Sequence, residues 1–143
     1  RSEDVVESIT DPLFMWAVDG YSTTIEGPLA KETSNPKHYQ DMMYFLTHHV
    51  RDCKVISIEK AISKLTSLPA SFYKLKNRGQ ILEGSIADIN VFDLNALSVH
   101  ASFENPYVYS TGMDYVIVNG IPVIAKGEHT HARPGKVLRV NQI

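Results

Sequence analysis

Across 143 residues there is one cysteine, Cys53, and no long hydrophobic run. A single thiol cannot close an intrachain disulfide, so a reducing, cytoplasmic setting is expected. The longest apolar stretch, Leu13 to Val18, is strand-length and far short of the roughly 20 residues a transmembrane helix needs. No membrane contact is expected from it. Charge of one sign is not in excess either: 14 Lys+Arg against 16 Asp+Glu leave a formal net charge of −2. That balance, without a basic run, gives no electrostatic footprint for nucleic acid or an anionic bilayer. The signatures G-x-G-x-x-G, Walker A, C-x-x-C and G-x-S-x-G are all missing. What is there, 43% hydrophobic and 21% charged residues, is ordinary globular composition. The chain opens on arginine with no signal-peptide pattern after it, and it reads as a piece of a longer polypeptide.

Phe14-Met15-Trp16-Ala17-Val18-Asp19-Gly20 is the most telling stretch. An apolar run that ends in a carboxylate and a glycine reads as a buried parallel strand delivering an acid to the open end of a sheet. In open α/β sheets and (β/α)₈ barrels that end is where ligands bind. Before it, Ser2 is a good N-cap, Glu3 and Asp4 suit the first turn, and Val5, Val6 and Ile9 supply an apolar stripe. Asp11-Pro12 ends that helix. Residues 20 to 37 read as a long loop, the kind that is often functional. Asn35-Pro36 predicts the start of a helix running from about Lys37 to Arg51. Ser57 and Glu59 open the next, where Ile58, Ala61, Ile62 and Leu65 keep helical spacing to an expected end near Ser67, ahead of Pro69.

From Gly79 onward the texture changes to strands: 87–93, 115–118 and 121–125, with Asn119-Gly120 the strongest short hairpin signal. Pro122 places the return strand at an edge or at its first residues. The fold expected is therefore α/β followed by all-β, divided near residue 70 into 1–69 and 70–143.

Asp19 is the leading candidate for chemistry, although Asp-Gly pairs are also common turn formers. Tyr21, Ser22 and Lys31 on the following loop are candidates to face a substrate. His129-Thr130-His131 places alternate histidines on one face of a strand, yet two imidazoles do not fill a tetrahedral site. His48 and His49 fall late in a helix, where neighbours point about 100° apart and would not chelate. Cys53 reads as a bystander, the cluster from Met42 to Phe45 as helix packing, and Arg133-Pro134-Gly135 as a tether.

Several blocks together resemble a known family. Val18-Asp19-Gly20-Tyr21-Ser22 with Gly27-Pro28-Leu29-Ala30 is similar to the "S-D-G-x-S … D-G-P-L-[SA]" segment of D-aminoacylases, N-acyl-D-amino-acid deacylases of the metal-dependent amidohydrolase superfamily. Lys64 to Ala70, Leu75 to Gly79, Gly84 to Asp93, Ala101 to Pro106, Tyr115 to Gly120 and Gly127 to Gly135 continue the likeness in family order. The block Gly84-Ser85-Ile86-Ala87-Asp88-Ile89-Asn90-Val91-Phe92-Asp93 speaks for the superfamily, and His129-Thr130-His131-Ala132-Arg133-Pro134-Gly135 for the D-aminoacylase branch.

The resemblance implies a fold: the last part of a (β/α)₈ amidohydrolase barrel in 1–69, plus the C-terminal share of a small, composite β-sandwich in 70–143. On that template Ser2 to Thr10 is the seventh barrel helix and Met15 to Val18 the eighth strand. It also implies Zn²⁺ in the complete enzyme, with none bound by this segment alone, and small N-acyl amino acids as substrates. Asp19 then carries the catalytic role, as general base and as a neighbour or ligand of the metal. Tyr21 and Ser22 become substrate-binding residues, and the remaining ligands lie outside this chain. A full barrel takes about 250 residues, so activity would need the missing N-terminal barrel portion. Two departures stand out: Val18 where the family carries serine, and Asn35 to Met42 where it shows "H-P-R-x-Y-G-T-F". A cyclic-amide hydrolase of the dihydroorotase or hydantoinase kind, and a non-catalytic degenerate module, are the alternatives.

Overall fold

The computed structural model describes residues 2–20, 24–27 and 35–139. Helix α1 spans Ser2–Thr10 with Glu3 and Asp4 in its first turn, as its sequence predicts. Of its apolar stripe only Ile9 is fully buried, while Val5 and Val6 stay exposed. The stop is local. The Asp11 carboxylate accepts from the Leu13 N–H at 2.7 Å, a side-chain turn that Pro12 then makes final.

The expected strand through Val18 is not formed: residues 14–20 carry no regular structure, and Ala17 and Val18 are exposed. A strand exists only through its ladder, and no strand among the described residues lies beside this segment. Its aromatic side chains hold it instead. Trp16 stacks on Phe45 with ring centroids 4.3 Å apart, and Phe14 meets Trp16 edge-on at 6.1 Å.

Helix α2 spans Lys37–Tyr44, and the chain then continues without a break into a π-helix, Phe45–Asp52. Wider winding puts Phe45, Leu46, Thr47 and Val50 in the interior. The Thr47 hydroxyl satisfies itself by donating to the Met43 carbonyl at 2.8 Å. Helix α3, Ile58–Leu65, begins where Ser57 caps it, its hydroxyl accepting from the Lys60 N–H. Helix α3 ends at Leu65, ahead of Pro69 as expected, and the chain breaks at Thr66 before turning helical again. A short helix α4, Ser67–Phe72, contains that proline in its first turn, where an N–H has no intrahelical acceptor to lose.

Four strands follow: β1 Ile89–Phe92, β2 Met113–Val118, β3 Ile121–Ala125 and β4 Glu128–His129. They form one antiparallel sheet in the order β1-β2-β3-β4. Asn119 and Gly120 turn β2 into β3 with φ of +48° and +79°, the paired left-handed conformation that a two-residue hairpin needs. Pro122 is the second residue of β3, beyond the reach of β4, which pairs only with Ile124 and Ala125.

The core does not divide between helices and sheet. Ile9, Phe45, Leu46, Val50, Ile56, Ala61 and Leu97 form one buried cluster, against which Trp16, Phe92, Leu94 and Met113 also pack. Arg51 fastens the two sides, donating to the carbonyls of Leu97 at 2.7 Å and Leu94 at 3.3 Å.

Candidate active site

Asp19 is presented by local geometry that starts on both sides of it. Behind it, the segment from Phe14 is anchored by Trp16. Beyond it, Gly20 packs against the start of α2: a Cβ there would lie 2.9 Å from Val18 Cγ1 and 3.4 Å from His38 Nδ1. On the facing side Asn35 caps the helix, its side-chain oxygen accepting from the Lys37 N–H at 3.1 Å and its carbonyl from the His38 N–H. This places Lys37 on the first turn, and its Nζ donates to Asp19 Oδ2 at 2.7 Å. Sequence reasoning did not single out Lys37. The pair spans the loop, and only the capped start of α2 hints that residue 37 returns to residue 19.

The Asp19 side chain is 99% exposed and lines none of three well-formed clefts among the described residues. The Lys37 hydrogen bond, then the Lys37 charge, hold its carboxyl below the usual range. One turn along α2, burial pushes the Asp41 carboxyl upward against the pull of Lys37. An ionised carboxylate is the form a general base requires, although pairing with an ammonium lowers its basicity. Tyr21, Ser22 and Lys31 lie outside the described residues.

The other candidates separate from Asp19. His129 ends β4, and His131 has φ of +63°, so the two do not share a strand face. Their ring centroids are 5.1 Å apart, and His129 Nδ1 accepts from the His131 N–H at 3.0 Å. Both line a cleft of about 990 Å³ with Glu26, Tyr39, Met43 and Glu128. His48 and His49 lie on the π-wound turn with ring centroids 4.9 Å apart and planes at 75°. His48 stacks on Tyr44 at 4.8 Å and lies 3.7 Å, by Nε2, from Cys53 Sγ. No sequence pattern marks that winding. The Pro134 carbonyl accepts from Asn119 Nδ2 at 2.7 Å, and the Asn119 amide oxygen in turn accepts from Arg78, so the C-terminal run is tied to the hairpin.

Among the described residues no three His, Cys, Asp or Glu side chains are placed to hold a metal ion. Asp19 offers one carboxylate donor of the class zinc accepts, and by itself that is not a site.

The model of the Amidohydrolase family matches residues 31–124. The chain belongs to this family. It is 33% identical over 105 residues to an N-acyl-D-glutamate deacylase of Alcaligenes xylosoxydans xylosoxydans, covering 73% of this chain and 21% of that protein. It is 35% identical over 107 residues to a D-aminoacylase of the same organism, covering 75% and 22%. Among solved structures, an N-acyl-D-glutamate deacylase from Bordetella bronchiseptica, complexed with zinc and a phosphonate mimic of the tetrahedral intermediate, superposes with a TM-score of 0.82. That match is 28% identical and covers 97% of this chain and 28% of the other. The amidohydrolase chain thus spans about a fifth of the curated relatives it matches.

Proposed function

We propose that this chain is the C-terminal segment of a zinc-dependent amidohydrolase that cleaves N-acyl-D-amino acids into a carboxylate and a free D-amino acid. The reading is supported chiefly by the likeness, along 97% of the chain, to a deacylase solved with zinc and a tetrahedral mimic. Residues 1–69 would close a (β/α)₈ barrel and 70–143 would belong to a β-sandwich. The exposed side of the 13–18 segment, with Leu13 84% accessible, is the face neighbouring strands would cover. A cytoplasmic setting agrees with the single thiol.

In this mechanism Asp19 takes a proton from the attacking water as its oxygen bonds the acyl carbon. It returns that proton to the amine nitrogen as the C–N bond breaks, leaving the acid and the free amine. Zinc, when bound, supplies Lewis acidity at the reacting carbonyl. Tyr21 and Ser22 would contact substrate from the adjoining loop. Before Asp19 can act, its carboxylate must leave Lys37.

That ion pair also favours a second reading, a non-catalytic amidohydrolase module, because it occupies the carboxylate that would do the work. The intact protein decides between them. Zinc content and turnover of N-acetyl-D-amino acids are measured beside hydantoin and dihydroorotate. Metal and D-specific amide hydrolysis are expected; activity confined to the cyclic amides, or metal-free inert protein, overturns the proposal.

A further inference from the structure

We propose that a cleft remote in sequence from the Asp19–Lys37 pair binds a phosphate-type oxyanion. It lies between the end of α1, the 54–57 connection and α3, encloses about 470 Å³, and is lined by Thr10, Pro12, Ile56 and three lysines, Lys54, Lys60 and Lys64. Among the described residues no acidic side chain lines it. The carboxylates nearest in sequence are engaged elsewhere: Asp11 with the Leu13 N–H, Asp52 with Arg51, and Glu59 with its own N–H and the Ser57 hydroxyl.

Lys64 carries the argument furthest. Its residue is only 6% exposed, yet its ammonium donates to two carbonyls, of Asp11 and Phe14, and forms no ion pair among the described residues. An ammonium has three donors and a full charge. The Phe14 ring, 5.6 Å from the ammonium, takes up part of its charge, but no carboxylate faces it among the described residues, and a buried charge without a counter-ion is costly. Lys54 and Lys60, both exposed, line the same cleft and have no side-chain partner among the described residues. The hydroxyl of Thr10 is already bonded within its own helix, so the lysines provide the recognition. Three point charges around a pocket of this size match a compact, multiply charged oxyanion, for which lysine is a common binder.

The test is calorimetric and NMR titration of the intact protein with inorganic phosphate, with glycerol phosphate, and with chloride at matched ionic strength. Saturable phosphate binding is expected, weakened about tenfold or more by Lys60→Ala and by Lys54→Ala. Lys60→Arg should retain it. Lys64→Met is avoided as the primary variant because its stem is part of the core. Stronger binding of glycerol phosphate would identify a phosphomonoester as the ligand, and equal binding the free anion. Phosphate shifts no larger than those with chloride, or shifts unchanged in both alanine variants, overturn the site. Neither result touches hydrolysis at Asp19, whose activity should be the same in Lys60→Ala.

Discussion

The carboxylate of Asp19 is held chiefly by Lys37, and that neighbour sets what a substitution there should do. Asp19→Ala removes a 99% exposed group whose surface ion pair contributes little, so the fold should melt close to the wild type. If Asp19 is the proton carrier, the intact enzyme should lose about 10²- to 10⁴-fold in turnover. Turnover that survives would assign the proton to another group. Lys37→Met makes a different change. Because pairing depresses the Asp19 carboxyl, the pair's contribution is present above the ordinary value of 3.8 and fades as pH falls through the lower folded value. In Lys37→Met the NMR titration midpoint of Asp19 should rise towards 3.8, and an unmoved midpoint would show that the pair does not persist in solution. His49 runs the other way: burial, then the charge of His48, lower its pKa. Protonation is thereby opposed in the fold, and stability should decline as pH drops below the ordinary 6.5. His49→Phe should flatten that decline in melts taken between pH 7 and 5. Although the strand expected to present it is not formed, Asp19 was marked in the sequence as a candidate, by an apolar run that closes in Asp-Gly. Its partner was not, since a contact across eighteen residues of chain leaves no periodic trace.

Helices and hairpin were readable wherever the signal is local. Ser57, the spacing of Ile58, Ala61, Ile62 and Leu65, and Asn119-Gly120 each act within a turn of themselves, and α3 and the β2–β3 hairpin form where these residues place them. Features set by distant partners were not readable. The segment 14–20 has strand composition but no adjacent strand among the described residues. The π-helix follows from seating Phe45, Leu46 and Val50 together in the interior, which helical periodicity does not encode. Glycine offers a sharp check at this scale. At Gly112, φ is +102° and a Cβ would sit 2.5 Å from the Ala96 carbonyl oxygen; at Gly84, φ is +81° and nothing lies within 4 Å. Gly84→Ala should therefore cost about 1 kcal/mol for the left-handed backbone alone. Gly112→Ala must also push back the 96–97 backbone and should cost clearly more by denaturant melts. Equal losses would mean that the connection before β2 yields freely.

Composition shifts near residue 70, yet the buried cluster ignores that position. Leu97 is 2% exposed and sits among Ile9, Phe45 and Ala61, while Arg51 reaches across to the Leu97 and Leu94 carbonyls. A texture change in sequence reports which secondary structure a stretch prefers, whereas cooperativity depends on which apolar groups share one interior. Among the described residues ten hydrophobic side chains are buried, so each accounts for a large part of the stabilising burial there. Leu97→Ala should cost about 2–5 kcal/mol, the range for emptying a packed leucine site. Because the cavity opens between the helices and the sheet, the loss should reach both. Amide exchange would read this directly: protection in the π-helix and in β2 should fall together in the variant. If β2 loses protection while residues 45–52 keep theirs, the helices and the sheet are separate cooperative units, and the shift near residue 70 marks a boundary in energy as well as in composition.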